Sequence, residues 1–123
     1  MIYCSALLAV EDNKILLVRV RDNTIWYCPG GKIEQGEEPK ETLIRELKEE
    51  LNLNMSPESL TYLGKTITDN HDRTDTVILE CYTGNIDQEI KPCAEISEIK
   101  WFDFNDTEFM APAAMEGIRR WFS

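Results

Sequence analysis

Residues 2–10 read IYCSALLAV, apolar at nearly every position. A strand with one wet face alternates apolar and polar side chains, so a near-continuous run belongs to a strand covered on both faces. EDNK (11–14) is a turn by composition, and ILLVRVR (15–21) is a second strand, making a hairpin. IWY (25–27), LTYLGKTIT (60–68), TVILECYTG (76–84) and ISEIKWFDF (96–104) extend the strand pattern. SPES (56–59) and DNHDRTD read as loops. Helical spacing runs from Pro39 to about Asn52 and from Pro112 to near Phe122, each opening on a proline that suits a first helical turn. Asp106 is expected to cap a short helical turn. In the last helix Met115, Ile118, Trp121 and Phe122 read as a core-facing stripe. Strands, helix, strands, helix imply an α/β chain with a mixed sheet between two helices.

The length of 123 residues, with no repeat, linker or low-complexity segment, predicts one domain over residues 1–123. Thirteen basic and 23 acidic residues leave a net charge of -10, which repels a nucleic-acid polymer and an anionic membrane but attracts divalent cations. Cys4, Cys28, Cys81 and Cys93 have no zinc-ligand spacing, and free thiols in a reducing cytoplasm are the expectation. The apolar start is too short for a membrane helix and lacks a basic leader, so it reads as a strand.

The segment PGGKIEQGEEPKETLIRELKEELNL, Pro29 to Leu53, carries the chemistry. At about 100° per residue Glu46, Glu49 and Glu50 span an arc of roughly 100°, beside an apolar face of Leu43, Ile44, Leu47 and Leu51. Like charges at this spacing repel. At the edge of a docked face they would have raised pKa values unless a cation neutralised them, and hard oxygen ligands suit Mg²⁺ or Mn²⁺. Arg45 is placed to brace a glutamate. Gly30 and Gly31 predict a sharp backbone bend or a close approach to a metal or phosphate. The competing interpretation is a solvated acidic helix face.

The full spacing decides between them: Gly31, Glu37, Arg45-Glu46-Leu47, Glu49-Glu50 and Leu53 closely resemble the signature box of the Nudix hydrolases, and WYCPG with GGKIEQGE resembles the MutT-like branch. The box covers about a fifth of the chain. Asn52 stands where the family usually has Gly, and Asn tolerates the left-handed helix end that position requires. The resemblance implies an α/β/α sandwich and hydrolysis of a nucleoside diphosphate linked to another moiety, with Mg²⁺ or Mn²⁺, by a cytoplasmic monomer or homodimer. It implies that Glu46, Glu49, Glu50 and the carbonyl of Gly30 or Gly31 hold the metal. Glu37 would act behind them or through water, and Arg45 would orient a glutamate. The general base is a box glutamate or a carboxylate ahead of Trp101, with Glu95 preferred over Glu98.

Outside the box, Arg19, Arg21, Cys28, His71 and Arg73 are candidates to face the substrate, although no motif supports them. Trp26, Tyr27, Trp101 and Phe104 read as core, with one a candidate to stack on a base. Marks of the coenzyme A, ADP-ribose and diadenosine polyphosphate subgroups are not found, which leaves a nucleoside triphosphate as the expected small-molecule substrate. Ala113 and Ala114 stand where some MutT-like enzymes hold oxidised guanine with an asparagine. ADP-ribose or nucleotide-sugar hydrolysis and non-catalytic nucleotide sensing are the alternatives.

Overall fold

The computed structural model of the protein describes residues 1–70 and 72–123. Along the chain these form β1 (Ile2–Leu7), β2 (Val10–Glu11), β3 (Lys14–Val20), β4 (Trp26–Tyr27), β5 (Gly30–Lys32), α1 (Pro39–Leu51), β6 (Thr61–Asp69), β7 (Thr76–Thr83), β8 (Ile96–Asp103) and α2 (Pro112–Trp121). A single 3₁₀ turn at Pro57–Ser59 occupies the expected loop.

The strands divide into two sheets. The first has the order β5-β1-β7-β6, with β1 and β7 parallel and the other pairs antiparallel. The second is built around β3. There β8 fills one edge from Lys14↔Asp103 to Val20↔Ile96, so β2 and β4 share the other edge at opposite ends. The run at 2–10 is therefore not one strand. It crosses from the first sheet to the second between Leu7 and Val10, anchored where the Leu8 N–H donates to the Tyr82 carbonyl (2.7 Å). Asp12 and Asn13 make the β2–β3 turn with left-handed φ values of 53° and 60°, a conformation their short polar side chains tolerate.

Both faces of these strands are covered. Leu7, Ala9, Leu16 and Val18 pack towards α1 with Leu43, Leu47 and Leu51. The alternate residues Ala6, Leu8, Ile15 and Leu17 pack towards α2 with Ala114 and Ile118. The result is the expected α/β/α layering, with β1 and β3 supplying side chains to both cores. Each fully buried leucine of α1 stabilises by about 1.5–3 kcal/mol, which outweighs the few tenths lost where its glutamates repel. Pro39 opens the helix after the Glu38 N–H donates to the Glu41 carboxylate (2.9 Å). Asn52 ends it at φ 54°, ψ 34°, the left-handed geometry expected of the residue replacing Gly.

Three expectations are corrected. The buried face of α2 is Ala114, Gly117 and Ile118, while Met115 is 37% exposed. The helix docks through its small residues, which turns Met115 outward. Trp101 lies on the outer face of β8 and is also 37% exposed, not core. Asp106 caps no helix; its N–H closes a turn on the Asp103 carbonyl (3.0 Å).

Candidate active site

Gly30 and Gly31 are residues of an edge strand, not of a turn, and two different neighbours require them. Gly30 has φ 151°, and a side chain there would overlap the Ser5 carbonyl and stand 2.8 Å from Ala6 Cα. A Cβ on Gly31 would stand 2.7 Å from Glu46 Oε2, in space that Glu46 occupies. The β1–β5 register separates their backbone groups. The Leu7 N–H donates to Pro29 O and the Ile33 N–H to Tyr3 O, which puts Ser5↔Gly31 in the bonded ladder. Antiparallel alternation then leaves the N–H and C=O of Gly30 on the open edge. That N–H donates to Glu50 Oε1 (3.1 Å).

Arg45 organises the acidic face. Its Nε and Nη2 donate to Glu37 at 2.8 and 2.9 Å, and its Nη1 to Glu46 at 2.8 Å. Glu49 lies 3.5 Å from the same Nη1 and is half exposed. The Glu37 carboxylate also accepts from the Glu34 N–H and the Thr42 hydroxyl. Of its four donors three meet Oε1 and one meets Oε2. Glu37 therefore holds Arg45 from behind the acidic face. The arginine bonds keep its pKa down at about 2 and raise that of Arg45. Glu50, 5% exposed, is pushed up to about 8 by burial, despite the Gly30 bond and with added repulsion from Glu46, Glu95 and Glu49. Burial also raises Glu46 against the pull of Arg45.

Glu95 joins this group from another direction. The Cys93 N–H donates to the Glu50 carbonyl (2.8 Å), and the Arg21 N–H to the Glu95 carbonyl (2.8 Å). These bonds bring the segment before β8 beside the end of α1, where Glu95 acts electrostatically on both Glu46 and Glu50. Glu98 is spent on Arg19, which also lies 6.0 Å from the Trp26 ring.

A cavity of about 420 Å³ opens at Gly30, Gly31 and Glu50 and extends under the first turn of α2. Cys28 lines it, as do Tyr27, Asn23 and Thr68. Burial raises the Cys28 thiol, so it is an unreactive wall. Arg19, Arg21 and Arg73 do not line it. Arg19 is held by Glu98, Arg21 contributes its backbone, and Arg73 sits at φ 61° in the β6–β7 turn, its N–H on the Asn70 carbonyl. His71 lies outside the described residues. Asn23 and Thr68 had no sequence signal: Asn23 lies in the connection between β3 and β4, and which face of β6 lines a cleft depends on partners distant in the chain.

Residues 3–122 match the NUDIX domain. The chain belongs to the Nudix hydrolase family. This Nudix hydrolase is 34% identical over 105 residues to the ADP-ribose pyrophosphatase of Methanocaldococcus jannaschii, covering 82% of the chain and 61% of that protein. It is 29% identical over 112 residues to the Nudix hydrolase YvcI of Bacillus subtilis, covering 86% and 68%. The chain thus spans about two thirds of the length of these relatives. The crystal structure of a MutT Nudix hydrolase from Burkholderia pseudomallei shares its fold, with a TM-score of 0.79 at 20% identity over 97% of this chain and 96% of that one.

Nudix hydrolases use divalent metal ions, and the donor set here fits one. It offers hard carboxylate oxygens, the edge carbonyl of Gly30 and a buried glutamate whose high pKa a cation would reverse. Among the described residues no three acidic, thiol or imidazole groups are gathered tightly enough to hold an ion as they stand. Glu46 and Glu49 pair instead with Arg45, and Glu50 accepts from the Gly30 N–H. No helix among the described residues is long and apolar enough to cross a membrane.

Proposed function

We propose that this Nudix hydrolase cleaves a nucleoside triphosphate to the monophosphate and pyrophosphate, water adding to phosphorus as pyrophosphate leaves. The observation that carries the reading is a junction. Glu46 and Glu50 contact the glycines of β5 at the mouth of a cavity whose size suits a small-molecule ligand. In this reading phosphate chemistry and base recognition share one opening. Glu46, Glu49, Glu50 and the Gly30 carbonyl would hold Mg²⁺ or Mn²⁺, which when bound neutralises phosphate charge and lowers the pKa of water. Arg45 keeps Glu46 in position and is itself oriented by Glu37. Glu95 takes the proton of the attacking water, its backbone fixed against Arg21.

A second reading, hydrolysis of ADP-ribose, draws on the name of the Methanocaldococcus jannaschii relative. Incubation with Mg²⁺ and a panel of nucleoside triphosphates, damaged nucleotides, nucleotide sugars and ADP-ribose, with products separated by ion exchange, distinguishes them. Monophosphate and pyrophosphate from a triphosphate, lost in EDTA, are expected. Faster release of AMP and ribose phosphate from ADP-ribose favours the second reading, and turnover insensitive to chelation sinks both.

A further inference from the structure

Four aromatic side chains compete to meet a base: Trp26, Tyr27, Trp101 and Phe104. The fold sends three of them elsewhere. Trp26 packs on Phe102, ring centroids 5.1 Å apart, and Phe104 lies against Phe122 in the core under α2. Trp101 lines a separate cavity with Ala9, Glu11 and Asn85. Tyr27 is half-buried and, among the described residues, packs against neither core. It is the one aromatic side chain among the described residues lining the cavity at Gly30 and Glu50. The register fixes its direction. Tyr27 pairs with Val18 and Trp26 with Arg19. Paired residues share a face and successive ones alternate, so Tyr27 stands on the face of Val18, itself a cavity residue, and Trp26 on the other. Burial and the charge of Asp72 raise the Tyr27 phenol, which puts its far end near the β6–β7 turn. The ring thus reaches from one sheet towards the other along the cavity.

Resting on the nucleotide reading above, we propose that Tyr27 is a specificity-determining residue: its ring stacks on the nucleobase and favours purines over pyrimidines. The second sheet supplies Val18, Val20 and Tyr27 to the cavity, and the first supplies Ile2, Cys4, Val77 and Leu79. A base entering between them meets an aromatic ring from one sheet and branched aliphatic side chains from the other. Aliphatic walls alone serve any apolar ligand, whereas a ring adds an attraction reserved for flat π-systems. A bicyclic base covers more of that ring and of the aliphatic wall than a monocyclic one, and stacking strengthens with the area covered. Stacking reads the size of the plane and not its hydrogen-bonding edge, so adenine and guanine are served alike. The phosphates of the same nucleotide lie towards Gly30, Gly31 and Glu50.

Calorimetric binding of AMP, GMP, CMP and UMP in EDTA tests this without turnover. The parent is expected to bind both purine nucleotides more tightly than either pyrimidine nucleotide. Tyr27→Leu keeps an apolar side chain without a ring. It should weaken AMP and GMP by roughly ten- to a hundredfold, as loss of one stacked aromatic does, and close their gap to CMP and UMP. Tyr27→Phe should keep the parent's purine-to-pyrimidine ratio. Trp26→Leu removes the neighbouring ring on the opposite face and should lower Tm while keeping that ratio. Parent-like affinities in Tyr27→Leu overturn the proposal, as does equal weakening of all four nucleotides, which marks a structural wall and not a stack. A parent that binds the four equally, or none of them, also overturns it. Purine-selective binding that Tyr27→Leu loses, with no hydrolysis of any substrate on the panel, rejects the catalytic reading and leaves the role of Tyr27 standing.

Discussion

The two halves of the cleft are made in opposite ways. The acidic half comes from one stretch of chain, Gly30 to Glu50, and is dense in charge-assisted bonds around Arg45. The cavity half draws residues from β1, β3, β5, β6, β7 and α2 and is largely apolar. A reaction that needs oxygen donors at fixed spacing is served by a helix, whose period sets them. Selecting a ligand needs only a shape, which any set of converging strands can supply. The first half is thus restricted in sequence and the second is free to vary.

The largest effect that separates the halves is on turnover. Glu49→Gln and Glu50→Gln are each expected to lower kcat on the order of 10² to 10³-fold, as loss of a group stabilising developing charge does, while monophosphate binding in EDTA persists. Parallel loss of both would erase the distinction. Next come the two glycines. Gly31→Ala displaces only the carboxylate end of Glu46, a side chain and not backbone, so roughly 10²-fold in kcat is expected with Tm nearly kept. Gly30→Ala meets backbone at a positive φ and should instead cost about 1–3 kcal/mol in denaturant unfolding. Equal Tm losses for the two variants would contradict this assignment. Arg45→Lys cannot hold Glu37 by two bonds and Glu46 at once, and about a 10-fold loss in kcat/KM is expected, largely in kcat.

The smallest effect is on pH. Glu50 in the folded, metal-free protein is raised from 4.5 to about 8. Between those values the folded state keeps a proton that the unfolded state has lost, so stability is full below the lower value and declines as pH rises through the upper one. Thermal unfolding in EDTA should give a Tm that falls over that window, and Glu50→Gln should flatten the slope. A parent slope that Glu50→Gln leaves unchanged would assign the titration to another group.

How much of this was legible in the sequence follows the same division. The spacing of Glu46, Glu49 and Glu50, the bracing by Arg45 and the left-handed Asn52 are local, set by helical period and backbone preference, and they were read directly. The two-sided burial of β1 and β3 was visible as an unbroken apolar run, but the change of sheet after Leu7 was not, because periodicity does not report a strand's partner. Arg19 was expected at the site and lies on the other side of β3, held by Glu98. One residue's shift in position reverses the face of a strand. Met115 was misplaced because hydrophobicity alone ranked it above Ala114 and Gly117, whereas close docking of a helix favours small residues.

The single bond from Gly30 to Glu50 reaches beyond chemistry. β5 is the end of its sheet, and an unprotected sheet end invites another chain to add a strand. Here the Glu50 carboxylate stoppers that end by occupying its outward amide. In the proposed mechanism this ties solubility and catalysis to one side chain: glutamine at position 50 keeps an acceptor for the amide, whereas alanine frees the sheet for self-association.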